Sequence, residues 1–252
     1  MATLGLPRVR VAFLNAAAAV TRLDTTGIVA LIMRDTAITA PAILTYPTLE
    51  LALADKAWVV ANATALKLAF KGDPRLVRVA ALPTAGLMTA AYDLLDVMQF
   101  DVCCLVGGVA DDMTSFVTWA KTSYDTRRKH ALYVATATVT PDSPYLIWYA
   151  TDSAVTSAGA YDAKTFLPRI AGLVAGLPLY QAPTYYVLDD VTDCTRLTRA
   201  QADTAIAAGK LVLYNDGVKV KVARGVNSLI TVPGVLSYTD EWKKIKVVRI
   251  LN

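Results

Sequence analysis

The chain is short of the side chains from which most active centres are built. It has one histidine, His130, and three cysteines in 252 residues. A zinc site, a Ser-His-Asp triad and a Cys-His pair all become hard to assemble from so few imidazoles and thiols. Two of the cysteines, Cys103 and Cys104, adjoin inside an apolar run. They cannot form a paired disulfide framework and read as buried, reduced core residues. Charge is scarce as well: Asp, Glu, Lys and Arg make up 18 % of the chain and hydrophobic residues 55 %. Ordinary globular proteins carry about 25 % charge. Such a composition excludes disorder and favours self-association.

Other absences narrow the field further. No Gly-rich loop ends in Lys-Ser or Lys-Thr, and no G-x-G-x-x-G follows a strand, so no nucleotide site is signalled. Mean hydropathy is high at +0.41, yet the longest uncharged run, Ile170 to Leu188, is broken by Gly172, Gly176, Pro178 and Pro183. It reads as a helix, a turn and a strand, and membrane insertion is not expected. The start, where Arg8 and Arg10 precede VAFLNAAAAV, has only the outline of a signal peptide. Asn15 interrupts its apolar part, and Arg22 and Asp24 follow at once.

What is present alternates between strand-like and helix-like segments. VRVAF, Val9 to Phe13, predicts an extended segment, and an Ala-rich connection leads to GIVALIM, Gly27 to Met33, as a buried strand. Leu51, Ala54, Trp58, Ala61, Ala65 and Leu68 recur at helical spacing and predict one apolar stripe, stopped by Gly72 and Pro74. LVRVAAL, VCCLV, ALYVAT and YLIWYA read as further strands, separated by helices carrying Leu87 to Met98 and Met113 to Tyr124. All-apolar strands between amphipathic helices imply a sheet covered on both faces. The small-residue stretch from Ser153 to Ala160 reads as a loop or boundary. Beyond it come a helix over Phe166 to Ala175, a TYYVL strand, a helix capped by Thr198, and LVLYNDGVKVKV, a hairpin around Asn215-Asp216-Gly217. The fold class is therefore α/β (α+β): layered strand-helix units with an extended N-terminal arm and a C-terminal unit containing a hairpin. The expected division is 1–22 as arm and connection, 23–157 as an α/β domain, and 158–252 as a second domain.

Candidate chemistry is thin. Leu105-Val106-Gly107-Gly108 runs from a strand into a glycine pair, but the following helix starts with Asp111 and Asp112, which would repel a phosphate. It reads as a βα turn, with an α/β enzyme sited near Gly107-Gly108 as the alternative. Asp189-Asp190 reads as a loop acid pair in preference to a cation site. Arg127-Arg128-Lys129-His130 complements a helix end and is not taken as a nucleic-acid patch. From Lys219 to Asn252 seven basic residues face two acidic ones, while the whole chain carries only +4. That segment either docks to an acidic partner or keeps a strand edge positive and soluble.

Four stretches carry a resemblance to a known family. They are the opening LGLP with its extended segment and GIVALIM, the FLPRIAGLVAGLPLYQAPTY stretch, ARGVNSL at Ala223 to Leu229, and WKKIKVVRIL near the end. The chain resembles the contractile tail sheath proteins of phages and prophage-like elements of Gram-positive bacteria, of the short type. The resemblance implies a structural subunit, not an enzyme, with no cofactor and no metal. Subunits of that family polymerise helically around a tail tube and contract to drive the tube through a bacterial envelope. The implied partners are other sheath subunits, the tube protein, the baseplate and the tail terminator, with no nucleic acid. The implied location is the virion tail, assembled in the host cytoplasm.

The resemblance also assigns residues. Leu4, Gly5, Pro7, Val9, Val11 and Phe13 fall in an inter-subunit arm that adds a strand to a neighbour's sheet. Arg224, Gly225 and Asn227 form a structural signature. Gly225 suits a backbone conformation closed to other residues, Asn227 suits a turn, and the Arg224 fork suits backbone carbonyls. Lys243, Lys244 and Lys246 are candidates to face the tube. Family members continue past the strand matching Ile245 to Leu251, so a C-terminal extension is expected to be missing, and the 252-residue chain to be a monomer or weak oligomer.

Overall fold

The computed structural model describes residues 27–125, 131–136, 141–232 and 235–236. The arm residues Leu4 to Phe13, the cluster Arg127 to His130, and Lys243, Lys244 and Lys246 lie outside the described residues.

A seven-stranded sheet forms the centre. It contains β1 (Ile28–Asp35), β2 (Ala42–Tyr46), β3 (Leu76–Pro83), β4 (Val102–Leu105), β5 (Leu132–Ala135), β6 (Leu146–Tyr149) and β10 (Lys210–Leu211), in the order β10-β6-β5-β4-β1-β3-β2. All pairs are parallel except the β2 edge, which runs antiparallel to β3. The central strands are largely apolar because both faces are covered, with charge confined to positions such as Arg34 and Asp35 at the end of β1 and Arg78 in β3. Residues 28–33 of β1 are buried, and so is every residue of β4, β5 and β6.

Among the described residues six helices flank the sheet: α1 (Leu49–Asp55), α2 (Val60–Phe70), α3 (Met88–Asp96), α4 (Ala110–Asp125), α5 (Ala163–Gly176) and α6 (Arg199–Ala207). Helices α2 and α5 pack together on one face, and α3 and α4 pack against each other on the opposite side. Side by side, β1 pairs with β3 and β4, so the chain moves away from β1 in both directions. This doubly wound order opens its crevice at the carboxyl ends of β1 and β4.

Several expectations need correction. The stripe from Leu51 to Leu68 is two helices, not one. Lys56 takes extended angles at the end of α1, and the Asp35 carboxylate accepts the Val59 N–H (3.0 Å) and the Asn62 side-chain N–H (2.6 Å), which pins the start of α2 as a new helix. Trp58 between them donates from Nε1 to the Ala52 carbonyl at 2.7 Å, and Leu51 is exposed. The Ser153 to Ala160 stretch is not a loop. It holds β7 (Ser153–Thr156) and the first half of β8 (Gly159–Asp162), a hairpin joined by β9 (Val191–Cys194) in a three-stranded sheet. TYYVL forms only an isolated bridge, Val187 to Lys221, because Tyr185 takes φ +58° and breaks the extended run.

The hairpin around Asn215-Asp216-Gly217 is present as β11 (Leu213–Asn215) and β12 (Val220–Val222). Gly217 sits at φ +94°, and the Asp216 carboxylate accepts the Val218 and Lys219 N–H groups at 2.9 and 2.8 Å. The LVLYN run divides between two sheets: Lys210–Leu211 closes the large one and Leu213–Asn215 opens the hairpin. Thr198 caps α6 with a reciprocal Gln201 contact, as its sequence predicts. A last pair, β13 (Thr231–Val232) and β14 (Val235–Leu236), ends the described chain.

Helix α5 ties the two halves together. Nearly all of it is buried, and at Gly172 and Gly176 its backbone lies directly against Ala69 of α2 and Gly72 just beyond it. A Cβ on Gly172 would lie 2.1 Å from the Ala69 carbonyl oxygen, one on Gly176 1.9 Å from that of Gly72, and one on Gly72 2.0 Å from the Gly172 carbonyl carbon. The FLPRIAGLVAGLP sequence is thus a backbone-to-backbone helix crossing.

Candidate functional site

Three places deserve description as sites: the crevice at the strand ends, the acid pair after α5, and the ARGVNSL segment. In the crevice, β1 delivers Arg34 and the turn after β4 delivers Gly107 and Gly108, both at positive φ. A nucleotide-binding protein would put a phosphate on the start of the helix that follows. Here Asp112 occupies that place, and Arg34 grips it with both ends of its fork, Nη1 to Oδ2 at 2.6 Å and Nη2 to Oδ1 at 3.0 Å. Arg34 Nε donates to the Gly86 carbonyl at 2.9 Å, joining the turn after β3 to the same knot. The Arg34 hydrogen bonds hold the Asp112 carboxyl below its usual range, and the Asp112 bond raises the guanidinium. Both groups are therefore ionised and mutually satisfied. The crevice holds a structural ion pair where an enzyme of this topology keeps its ligand.

Beside it, Asp35 is 2 % exposed and serves the backbone. Burial pushes its carboxyl up, and hydrogen bonds from Ala37, Asn62 and Val59 overcome that and leave it lowered. An open cleft along α4 is lined by Tyr92, Thr114, Thr118 and Thr122. The three threonine hydroxyls donate to their own helix carbonyls four residues back, at 3.0 Å each.

The acid pair is divided between two cations. Asp190 receives the Arg169 fork at 2.8–3.2 Å, and Asp189 receives Lys219 Nζ at 2.9 Å. Arg169 lies inside α5 with only 3 % of its surface exposed. Burial pushes the Asp190 carboxyl up, and the Arg169 contacts outweigh this and lower it. The loop-acid reading of Asp189-Asp190 is the one the geometry matches. The buried partner Arg169 was legible only as a lone cation in an otherwise apolar helical stripe. Among the described residues no group of three or more His, Cys, Asp or Glu side chains could hold a metal ion, and no helix is long and apolar enough to cross a membrane.

The ARGVNSL segment works as a clasp. Asn227 and Ser228 are fully buried. Asn227 Nδ2 donates to the Pro144 carbonyl at 2.9 Å, and its Oδ1 accepts the Leu229 N–H at 3.2 Å, the turn its residue type suggests. Ser228 exchanges bonds with Ser143 and gives its N–H to the Leu146 carbonyl at 2.7 Å. Asp142, at φ +44°, accepts the Ile230 and Thr231 N–H groups at 2.8 and 3.0 Å. Together these bonds fix the segment against the strand start of β6. Gly225 corrects its expectation: its φ is not positive, and it is required for space, since a Cβ would meet the Pro183 ring at 2.6 Å. Its N–H donates to Thr184 Oγ1 at 2.9 Å. Arg224 is half-buried.

No family model matches the chain. It is 26 % identical, over 97 % of its length and 68 % of the relative's, to the tail sheath protein of Clostridium phage phiCD119. Its fold matches the crystal structure of a sheath tail protein from Desulfitobacterium hafniense with a TM-score of 0.76 at 14 % identity, covering all of this chain and 79 % of that one. A sheath tail protein from Listeria innocua matches at 0.74 and 16 %, over 90 % and 74 % of the two chains. The helical sheath of the anti-feeding prophage in its contracted state matches at 0.71 and 18 %, over 90 % and 67 %. The resemblance to tail sheath proteins thus holds in sequence along nearly the whole chain and in fold, and the α/β class holds with it.

Proposed function

We propose that this chain, which resembles contractile tail sheath proteins in sequence and shares their fold, is a structural subunit of a contractile tail sheath. The observation that carries this reading is the likeness to a phage tail sheath protein across 97 % of the chain. The internal construction supports it. A sheath subunit has to move as a rigid body while its contacts with neighbours change, and the glycine crossing of α2 and α5, the Arg169–Asp190 pair and the 223–231 clasp weld the two halves into one block. The crevice of the doubly wound sheet, closed by Arg34 and Asp112, gives the alternative of an enzyme near Gly107-Gly108 no support.

The finer partners belong to the same proposal. The subunit polymerises around a tail tube, meets a baseplate and a tail terminator at the two ends, and is assembled in the host cytoplasm. Leu4, Gly5, Pro7, Val9, Val11 and Phe13 supply the strand given to a neighbour, Lys243, Lys244 and Lys246 face the tube, and the division at 1–22, 23–157 and 158–252 follows that use. Immunogold electron microscopy of tails released by the encoding bacterium tests the function. Antibody against this chain is expected along the whole outer cylinder, and labelling confined to another structure refutes it. Charge reversal at two of the three lysines is expected to abolish binding to isolated tubes at low salt, and undiminished binding removes the electrostatic role.

A further inference from the structure

The hairpin of β11 and β12 carries the one Asp-Gly pair of the chain, Asp216-Gly217, and the chain has no Asn-Gly pair. Asp-Gly is the dipeptide most open to spontaneous isomerisation, because glycine puts no side chain in the way of its own nitrogen. In that reaction the Gly217 nitrogen attacks the side-chain carboxyl carbon of Asp216. An N–C bond forms, the nitrogen gives up its proton, and the carboxylic acid loses its hydroxyl as water, which leaves a five-membered succinimide. Water then opens the ring. Opening at the main-chain carbonyl of Asp216 leaves the backbone running through the former side chain, as isoaspartate. The product has the mass of the starting chain, and the reaction takes no other reactant. Solvent is at hand, since Asp216 and Gly217 are both exposed, and packing does not shield the site, since nothing lies within 4 Å of the place a Gly217 Cβ would occupy.

Both reacting groups are nevertheless tied. The Gly217 N–H donates to Asn215 Oδ1 at 2.8 Å, and Asn215 Nδ2 donates to Asp193 Oδ1 on β9 at 2.8 Å. A main-chain donor on one side and a carboxylate acceptor on the other allow the amide only this orientation. The nitrogen that would attack is thus engaged by a side chain anchored on another sheet. The carboxylate is engaged as well. Its Oδ1 accepts the Val218 and Lys219 N–H groups at 2.9 and 2.8 Å, and its Oδ2 pairs with Lys221 Nζ from β12. The Lys221 bond, with those from Lys219 and Val218, holds the carboxyl below its usual range. Only the protonated carboxyl carries a hydroxyl that leaves readily as water. The Asp216 N–H donates to the Lys219 carbonyl at 3.2 Å, which closes the turn in one conformation.

We propose that Asp216-Gly217 is a latent isoaspartate site that the folded hairpin holds shut, through Asn215 on the attacking nitrogen and Lys221 on the carboxylate, so that it is modified only while the hairpin is open. The change is not undone by folding. Isoaspartate lengthens the backbone at the turn by one carbon and moves the carboxylate away from the Val218 and Lys219 N–H groups it served. Leu213 then no longer stands opposite Val222, nor Asn215 opposite Val220, at a place where Leu213, Val220 and Val222 are fully buried. A chain that isomerises while open therefore closes poorly, and isoaspartate at position 216 records time spent with the hairpin open.

The test incubates the full chain at neutral pH and one temperature, folded and in guanidinium chloride above its unfolding midpoint, as wild type, Asn215→Ala and Lys221→Gln. Isoaspartyl methyltransferase with labelled S-adenosylmethionine counts the product. Fragmentation of the tryptic peptide Leu211–Lys219, which all three chains release, places it. Folded wild type is expected to be modified at least about tenfold more slowly than unfolded wild type. Each variant, folded by circular dichroism and compared with its own unfolded chain, is expected to lose at least about threefold of that protection. Equal rates in folded and unfolded wild type, no isoaspartate at 216 in the unfolded chain, or full protection in either folded variant overturns the proposal. A second readout needs no variant. Denaturant added below the midpoint should raise the wild-type modification rate in step with amide hydrogen exchange in the 211–219 peptide, and a flat rate while exchange rises overturns it.

Discussion

Replacing Gly172 by alanine sets two effects of opposite sign against each other. In a free helix the change gains about 1 kcal/mol of propensity. In α5 the new Cβ would stand 2.1 Å from the Ala69 carbonyl oxygen, where ordinary contact begins at 3.4 Å. The atom in the way is backbone, and no rotamer relieves the overlap. The helices must part by roughly 1.3 Å, and the Gly72 and Gly176 contacts on the same seam part with them. Overpacking of a tight core costs about 1–3 kcal/mol, and a backbone overlap this deep belongs at the upper end, so after the propensity gain the net expectation is a loss of about 2 kcal/mol. Urea unfolding followed by tryptophan fluorescence reads this directly. With a slope of about 3 kcal/mol/M for a chain of this size, the midpoint should fall by about 0.7 M. Adding Gly176→Ala should cost much less than it does alone, because the seam is already open. A midpoint equal to or above the wild type's for Gly172→Ala would refute the reasoning, since propensity alone would then decide.

Asp190→Ala leaves Arg169 charged and buried; removal of one partner from a buried pair costs about 3–5 kcal/mol, discounted here to about 2–4 because the Asp190 side chain keeps 18 % exposure, and a thermal melt shifted by less than a degree would refute it. Asn227→Ala orphans the buried Pro144 carbonyl and the Leu229 N–H, for an expected loss of about 1–3 kcal/mol by urea denaturation, with an unchanged midpoint as the contrary result. Asp35, Asp112, Asp142 and Asp190 all have carboxyls lowered in the fold. Their contribution is complete above the ordinary carboxylate pKa of about 3.9 and is lost as pH falls through the lowered values; stability by chemical denaturation should hold between neutrality and mild acid and drop below about pH 4, and a rise over that range would contradict it.

The strands were legible because both faces of the sheet are covered. A run such as VCCL or LIWY needs no knowledge of its partners to read as buried, and a β-branched or apolar segment bounded by Gly and Asp has few other uses. The cap of α6 and the hairpin at Asn215 to Gly217 were legible for the same reason: their bonds lie within four residues. What escaped depends on partners far along the chain. The break between α1 and α2 is made by Asp35, 24 residues before Val59. The β7–β8 hairpin is held by β9, and its Ala, Ser and Gly residues look like a loop until that strand is in place. Gly225 was credited with conformational freedom when its constraint is the ring of Pro183, 42 positions earlier in the numbering and in contact only after folding. The helix-helix seam gave a local hint, glycines four apart at 172 and 176, but nothing in the sequence named Gly72 as their partner.

A doubly wound sheet can bind a nucleotide at its strand ends, and a few residues there decide whether it has room to do so. A ligand crevice needs free backbone N–H groups at a helix start and room above them. Here Asp112 turns back onto the Val109 N–H and neutralises Arg34, so the positive end of α4 is satisfied from within. The turns above the pair then lose any reason to be polar, and Val59, Val60, Leu87 and Val109 occupy them. The Arg34–Asp112 pair, with Asp35 beside it, is therefore a structural tie that holds the turns after β3 and β4 and the start of α2 to the end of β1.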